Sequence, residues 1–258
     1  MDLSFNIRLV DGYKNKSQIA RVLTENWTET HMYCPVCGSP TIMKFPNNKA
    51  VADFYCLNCK SEFEQKSKNG VFKNKIACGS YSTFLQRITS NNNPDFLIMS
   101  YSRSRMSVEN LFFIPKHFFV PEVVEKRKPL SKTARRAGWI GCNILLDKIP
   151  MQGRISIVKD GTVLDKDMVL KQVQWAQKVE TENMVARGWI MDILHCINAI
   201  EPNVFTLSMV YSFEKELAHK HPDNNNIRAK IRQQLQLLRD RGIITFLGNG
   251  RYQKNQQI

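Results

Sequence analysis

Four cysteines fall as two C-x-x-C pairs, Cys34 with Cys37 and Cys56 with Cys59, and eighteen residues separate the pairs. Two such knuckles at that separation match the spacing of a structural zinc site. There, four thiolates close a tetrahedron at about 2.3 Å per bond and leave no open position for substrate. The competing reading is two unrelated pairs of buried thiols. Around the second pair stand Asp53 on one side, and Glu64 and Lys66 on the other. Two carboxylates and a lysine on one surface suit phosphodiester hydrolysis with Mg²⁺, a hard cation that prefers carboxylate oxygens. The metal lowers the pKa of a bound water, and Lys66 steadies the hydroxide or the developing phosphorane charge. Taken alone, an Asp followed by Glu-x-Lys describes equally well an exposed strand whose charges face water.

Elements must bring these groups together. Residues 51–55, rich in β-branched and aromatic side chains, read as a strand, and residues 61–66 alternate polar and apolar. If the second knuckle is the turn between them, zinc clamps a hairpin tip and fixes its register. Side chains two apart share a face, so Glu64 and Lys66 point one way and Phe63 and Gln65 the other, with Asp53 paired alongside. Glu62 is the weaker acid, because Glu64 stands where a lysine is wanted. A helix over 17–27, N-capped by Ser17, carries Glu25 on a face of its own, as a distant metal candidate or a solvated charge. Residues 2–10 read as a short strand or extended lead-in, and 66–70 as a turn. A helix follows around 77–89, then two buried strands at 95–101 and 110–115. The expected fold class is α/β (α+β), with the acids on an inner strand of the sheet.

Composition narrows the partner. Net charge is +14 and the pI about 9.5 over 258 residues, which favours a polyanion. No basic amphipathic helix with a bulky aromatic face points to a membrane surface, and no apolar run approaches a span. The N-terminus lacks a signal layout, so a soluble, cytoplasmic protein is expected. Seven cysteines without a secretory signal indicate metal and free thiols; Cys78, Cys142 and Cys196 read as small core residues. No heptad or large apolar stripe calls for a dimer, so a monomer is expected.

Residues 126–141 are densely basic and include Arg135, Arg136 and Trp139. Arginines reach phosphates or guanine edges and bases stack on aromatic rings, although a solvated loop with Trp139 tucked into the core fits too. A strand over 153–158 leads into a turn at 159–161 and a helix near 169–178. A second module starts near residue 183: a helix over 188–200, another from an N-cap at Thr206 to Lys220, and a third over 227–241, then strand, turn and strand. His219 and His221 read as solvated. Three helices and a hairpin make a winged helix. Its third helix would offer Arg228, Arg232 and Gln233 to a major groove, and its wing would offer Asn249 and Arg251 to backbone. Such a module can instead dock a protein. The division expected is 1–182 for catalysis with the zinc site and 183–258 for the winged helix.

The interlacing of Asp53, Glu64 and Lys66 with four zinc cysteines resembles the PD-(D/E)xK restriction-endonuclease fold. With Arg135, Arg136, Trp139 and the helix around 230–239, nearly the whole chain is similar to the methyl-directed restriction endonucleases. That resemblance implies Mg²⁺-dependent double-strand cleavage at GATC containing N6-methyladenine, read by both domains. It makes Asp53, Glu64 and Lys66 catalytic, with Asp53 and Glu64 holding Mg²⁺, and it makes Trp139 the contact to the adenine methyl groups. One departure is Ala52, where the family's signature has proline; that position shapes backbone and supplies no ligand.

Overall fold

The computed structural model describes residues 1–46, 52–90, 92–181 and 183–255. Its first helix, α1 (Lys16–His31), buries Leu23 and Trp27. Asn15, not Ser17, caps it: the Asn15 side chain accepts from the Ser17 and Gln18 amides. Two short strands, β1 (Met43–Lys44) and β2 (Phe54–Tyr55), pair with each other, and Val51 of the expected strand lies outside the described residues. Strand β3 (Glu62–Asn69) runs past the turn expected at 66–70. It is held straight by parallel pairing with β5 (Asp95–Ser102) through Asn69 and Tyr101, and the chain bends only at Gly70, where φ is +80°.

Between β3 and β5 the chain forms β4 (Lys75–Ser80) and α2 (Tyr81–Ile88). The helix expected from residue 77 thus begins four residues later, because residues 77–80 pair with a strand sixty residues on. Strands β5 and β6 (Ser107–Ile114) form an antiparallel pair, and β5 is buried almost end to end, as its apolar run demands. Strand β7 (Val124–Lys126) and β8 (Gly141–Leu145) join β4 in a small sheet ordered β4-β8-β7. Strand β9 (Ile155–Lys159) returns to the main sheet and turns through Asp160 and Gly161, both at positive φ, into β10 (Thr162–Val163). The main sheet is ordered β1-β2-β3-β5-β6-β9-β10. Helix α1 packs on it at β3, where Thr28 Oγ1 donates to Gln65 Oε1 at 2.6 Å, and α3 (Lys166–Gln177) packs on it at β9. Phe96, stacked on Phe119 at 3.9 Å, marks the core; burying such a ring contributes about 1.5–3 kcal/mol.

Residues 2–10 form a bridge at Ser4 and one 3-10 turn over Ile7–Val10, instead of a strand. The C-terminal unit comprises α4 (Met184–Ala199), β11 (Val204–Thr206), α5 (Leu207–Tyr211), α6 (Glu214–Lys220), α7 (Ile227–Asp240), β12 (Ile244–Gly248) and β13 (Arg251–Lys254). Thr206 caps α5 as expected, but the helix from 206 to 220 is two pieces. Ser212 Oγ donates back to the Met209 carbonyl, and Phe213, at φ −86° and ψ 3°, ends the ladder. Strands order β11-β13-β12 behind the helices, giving a winged helix. Amides of Gln152 and Asn198 bond reciprocally at 2.8 Å and tie α4 to the segment before β9.

Candidate active site and nucleic-acid interface

The two knuckles repeat one backbone design. Cys34 and Cys56 each donate an amide to a serine carbonyl five residues on, and accept from the residue four on. Those residues, Gly38 and Lys60, lie at positive φ (75° and 62°). The turns aim four sulfurs at one point: Cys34 and Cys59 Sγ are 3.6 Å apart, and Cys37 and Cys56 Sγ 3.7 Å. A tetrahedron with bonds of about 2.3 Å has edges of about 3.8 Å, so the four thiols fit a zinc ion and the cluster could hold one.

The same hairpin sets the acids. Register across β2 and β3 pairs Phe54 with Phe63, and the Asp53 amide donates to the Phe63 carbonyl at 2.9 Å. One step back along that register, Asp53 stands opposite Glu64. Its Oδ2 accepts from the Gln65 amide at 2.7 Å. Along β3, Phe63 and Gln65 are buried while Glu64 and Lys66 are half-exposed on the other face, as the alternation requires. Lys66 Nζ pairs with Glu64 Oε1. Asp53, Glu64 and Lys66 line one cavity of about 480 Å³.

Burial and neighbouring charges compete in this cavity. Burial raises the Asp53 carboxyl above its ordinary range, opposed by the Gln65 amide and by Lys66, and reinforced by Glu64 and Glu25. For Lys66, burial works to lower the pKa, but Glu64, Cys78 and Asp53 outweigh it and raise the ammonium above the usual lysine range. The amine is therefore a fixed positive charge, suited to holding an anion. Glu25 is not solvated: it is largely buried and pairs with Lys44 at 2.8 Å. Glu62 faces Arg87 at 3.8 Å.

The sequence reading missed the cavity's opposite wall, made by β4 and α2. Cys78, Thr83, Gln86 and Arg87 line it. Thr83, Gln86 and Arg87 recur at helical spacing, but nothing in that spacing says that the helix faces the two acids. Cys142 and Cys196 are buried as expected, whereas Cys78 is half-buried at this wall, packed against the edge of the core.

The basic segment 127–140 is an ordered extension of β7 and β8. Leu130 donates its amide to the Trp139 carbonyl at 2.9 Å, and Gly138 donates to the Leu130 carbonyl at 3.1 Å. Arg135 and Arg136 are exposed. Trp139 is neither in the core nor bare: the Arg136 guanidinium lies over its ring at 4.6 Å, and the ring covers Gly141 so closely that an added Cβ would meet it at 2.8 Å.

In the winged helix, Arg228, Arg232 and Gln233 all lie on the solvent face of α7, and Asn249 and Arg251 are exposed on the wing. Tyr211 organises the helix's arginines: Arg232 Nη1 donates to its hydroxyl at 2.7 Å, and Arg228 sits over its ring while pairing with Glu214 at 2.8 Å. Gln234, which reads as a surface residue, is buried. His219 is exposed, but His221 is not solvated. It stacks on Trp189 at 3.8 Å and bonds Asp192 at 2.8 Å.

Comparison with protein families matches residues 1–182 to the Dam-replacing family, DpnI. The chain belongs to that family. Residues 185–254 match its helix-turn-helix domain, which agrees with the wing and helices described above. The family is one of methylation-dependent restriction endonucleases, and its C-terminal module is a DNA-binding winged helix. Among the described residues, no helix is long and apolar enough to cross a membrane.

Proposed function

We propose that the protein is an Mg²⁺-dependent endonuclease that cuts both strands of DNA at GATC containing N6-methyladenine. The observation that carries this reading is the meeting of Asp53, Glu64 and Lys66 in one cavity, in a chain of a restriction-endonuclease family. Asp53 and Glu64 would hold the Mg²⁺, which supplies an activated water and neutralises charge on the phosphate. The Gln65 amide fixes one Asp53 oxygen and leaves the other to the cavity. Lys66, held positive by its neighbours, stabilises charge as it develops on the phosphoryl oxygens. Zinc in the four thiols clamps the hairpin, so that Asp53 and Glu64 keep their register.

In this reading the winged helix and the 127–140 extension share recognition. Arg228, Arg232, Gln233, Asn249 and Arg251 engage one stretch of DNA. Arg135, Arg136 and Trp139 engage the duplex at the nuclease domain. The apolar face of Trp139 favours a methyl group, which water solvates poorly, once Arg136 swings from the ring to a phosphate. The test is cleavage of methylated, hemimethylated and bare GATC duplexes with Mg²⁺. Cutting of the methylated site, with Lys66→Ala binding but not cutting, is the expected result. Intact methylated DNA across a range of metal and salt would mark a DNA-binding regulator instead. Equal cutting of bare GATC would remove the methyl dependence.

A further inference from the structure

Strands β4 and β8 pair antiparallel with Cys78 directly opposite Cys142. Opposed residues in such a pair stand about 4.5 or 5.5 Å apart at Cα, depending on the hydrogen-bonding phase. Both values fall within the roughly 4.4–6.8 Å that a disulfide spans. Opposed side chains also share a sheet face, and the Cys142 thiol reaches the carbonyl of Gly79, Cys78's neighbour in sequence, at 3.5 Å. The two thiols differ in access. Cys78 is half-exposed and lines the cavity that holds Asp53, Glu64 and Lys66, whereas Cys142 is fully buried behind it. Neither belongs to the four-thiol cluster. An accessible thiol backed by a buried one is the arrangement of an attacking and a resolving cysteine.

We propose that Cys78 and Cys142 form an oxidation site in the cavity wall, closing to a reversible disulfide when a hydroperoxide reaches Cys78. The Cys78 sulfur attacks the terminal peroxide oxygen and the O–O bond breaks. The departing alkoxide or hydroxide takes up the thiol proton, leaving a sulfenic acid. The Cys142 sulfur then attacks the Cys78 sulfur, the S–O bond breaks, and the hydroxyl leaves as water with the Cys142 proton. Two thiols and one hydroperoxide give one disulfide, one alcohol (water when the oxidant is H₂O₂) and one water.

Closure has a mechanical consequence. Cβ atoms of opposed residues lie about 4.5–5.5 Å apart and must approach about 3.8 Å in a disulfide, so β4 moves against β8 by about 1 Å. Helix α2, which carries Thr83, Gln86 and Arg87 into the cavity, begins immediately after β4. A misplacement of that size can cost about 10²-fold in rate. This consequence for cleavage rests on the nuclease reading; the disulfide itself does not.

The experiment treats zinc-loaded, full-length protein with hydrogen peroxide, blocks remaining thiols, and maps peptides without reduction. A linked Cys78–Cys142 peptide two mass units lighter than the free pair is expected. Cleavage of methylated plasmid falls ten- to a hundredfold, and reductant restores both. Zinc release is followed in parallel with a chromogenic chelator. Cys142→Ser, whose hydroxyl can keep the bond to Gly79, gives normal cleavage when reduced and no linked peptide when oxidised. Absence of the linked peptide in the wild-type protein, whatever the variant does, overturns the proposal. A linked peptide with cleavage undiminished, or activity lost only in step with zinc, overturns the mechanical consequence while the disulfide stands. Reduced protein that cuts no DNA sinks the nuclease reading instead, and the peptide map then decides the oxidation site alone.

Discussion

Asp95 and His117 flank one buried corner and pull stability in opposite directions with pH. Asp95 opens β5, and its Oδ1 accepts the Lys116 amide at 2.8 Å. Burial pushes its carboxyl up from 3.8 to about 7. Burial pushes the neighbouring His117 down from 6.5 to about 3, while its Nε2 bonds the Ala176 carbonyl at 3.0 Å. With a raised folded pKa, Asp95 gives its full stabilisation below pH 3.8 and loses it as pH rises through about 7. With a depressed folded pKa, His117 gives its stabilisation above pH 6.5 and loses it as pH falls towards about 3. Each slope is about 1.4 kcal/mol per pH unit, and between about pH 4 and 6.5 the two cancel. Asp95→Asn removes one slope and leaves the other. Relative to wild type, the variant gains about 1.4 kcal/mol per unit as pH rises across that window, or about 3 kcal/mol from pH 4.5 to 6.5. Urea unfolding of both proteins in matched zinc measures the difference, so that effects of pH on the zinc cluster cancel. A difference that stays constant with pH would refute the reasoning.

Three further outcomes are expected. Cys56→Ser, at a fully buried sulfur of the four-thiol cluster, abolishes stoichiometric zinc and destabilises the protein by on the order of 4 kcal/mol or more; zinc content and thermal unfolding report both. Gly153→Ala places a Cβ 2.5 Å from the buried Phe118 ring and costs about 1–3 kcal/mol of overpacking, read as a lower urea midpoint at unchanged slope. Arg232→Ala weakens DNA binding evenly across sequences and lowers the log–log salt slope by about 1 if its guanidinium meets a phosphate, measured by fluorescence anisotropy at several salt concentrations.

The candidate site was legible where chemistry and short-range geometry coincide. Cysteine spacing places the four sulfurs, and strand alternation sorts Glu64 and Lys66 from Phe63 and Gln65 without any tertiary knowledge. Asp53 needed only the hairpin register that the second knuckle imposes. What escaped the sequence depends on distant partners. Nothing local says that residues 77–80 leave the expected helix to pair with 141–145, so the second cavity wall and the exposure of Cys78 were invisible. Similarly, Gln234 and His221 look like surface polar residues until α7 and α4 pack. Trp139 was ambiguous for the same reason, because its cover, Arg136 on one side and Gly141 on the other, comes from a turn that closes on itself.

The parallel pairing of β3 with β5 forces a crossover, and the chain uses that crossover as the cavity's far wall. That wall is pinned by β8, whose residues follow the acids by some eighty positions. On a ribosome, both carboxylates and the lysine emerge well before the strand that completes their enclosure, and domains assemble as their last pieces arrive. A nascent chain stalled near residue 130 therefore carries both carboxylates and the lysine yet lacks a finished cleft, so their enclosure waits until more than half of the polypeptide has been made.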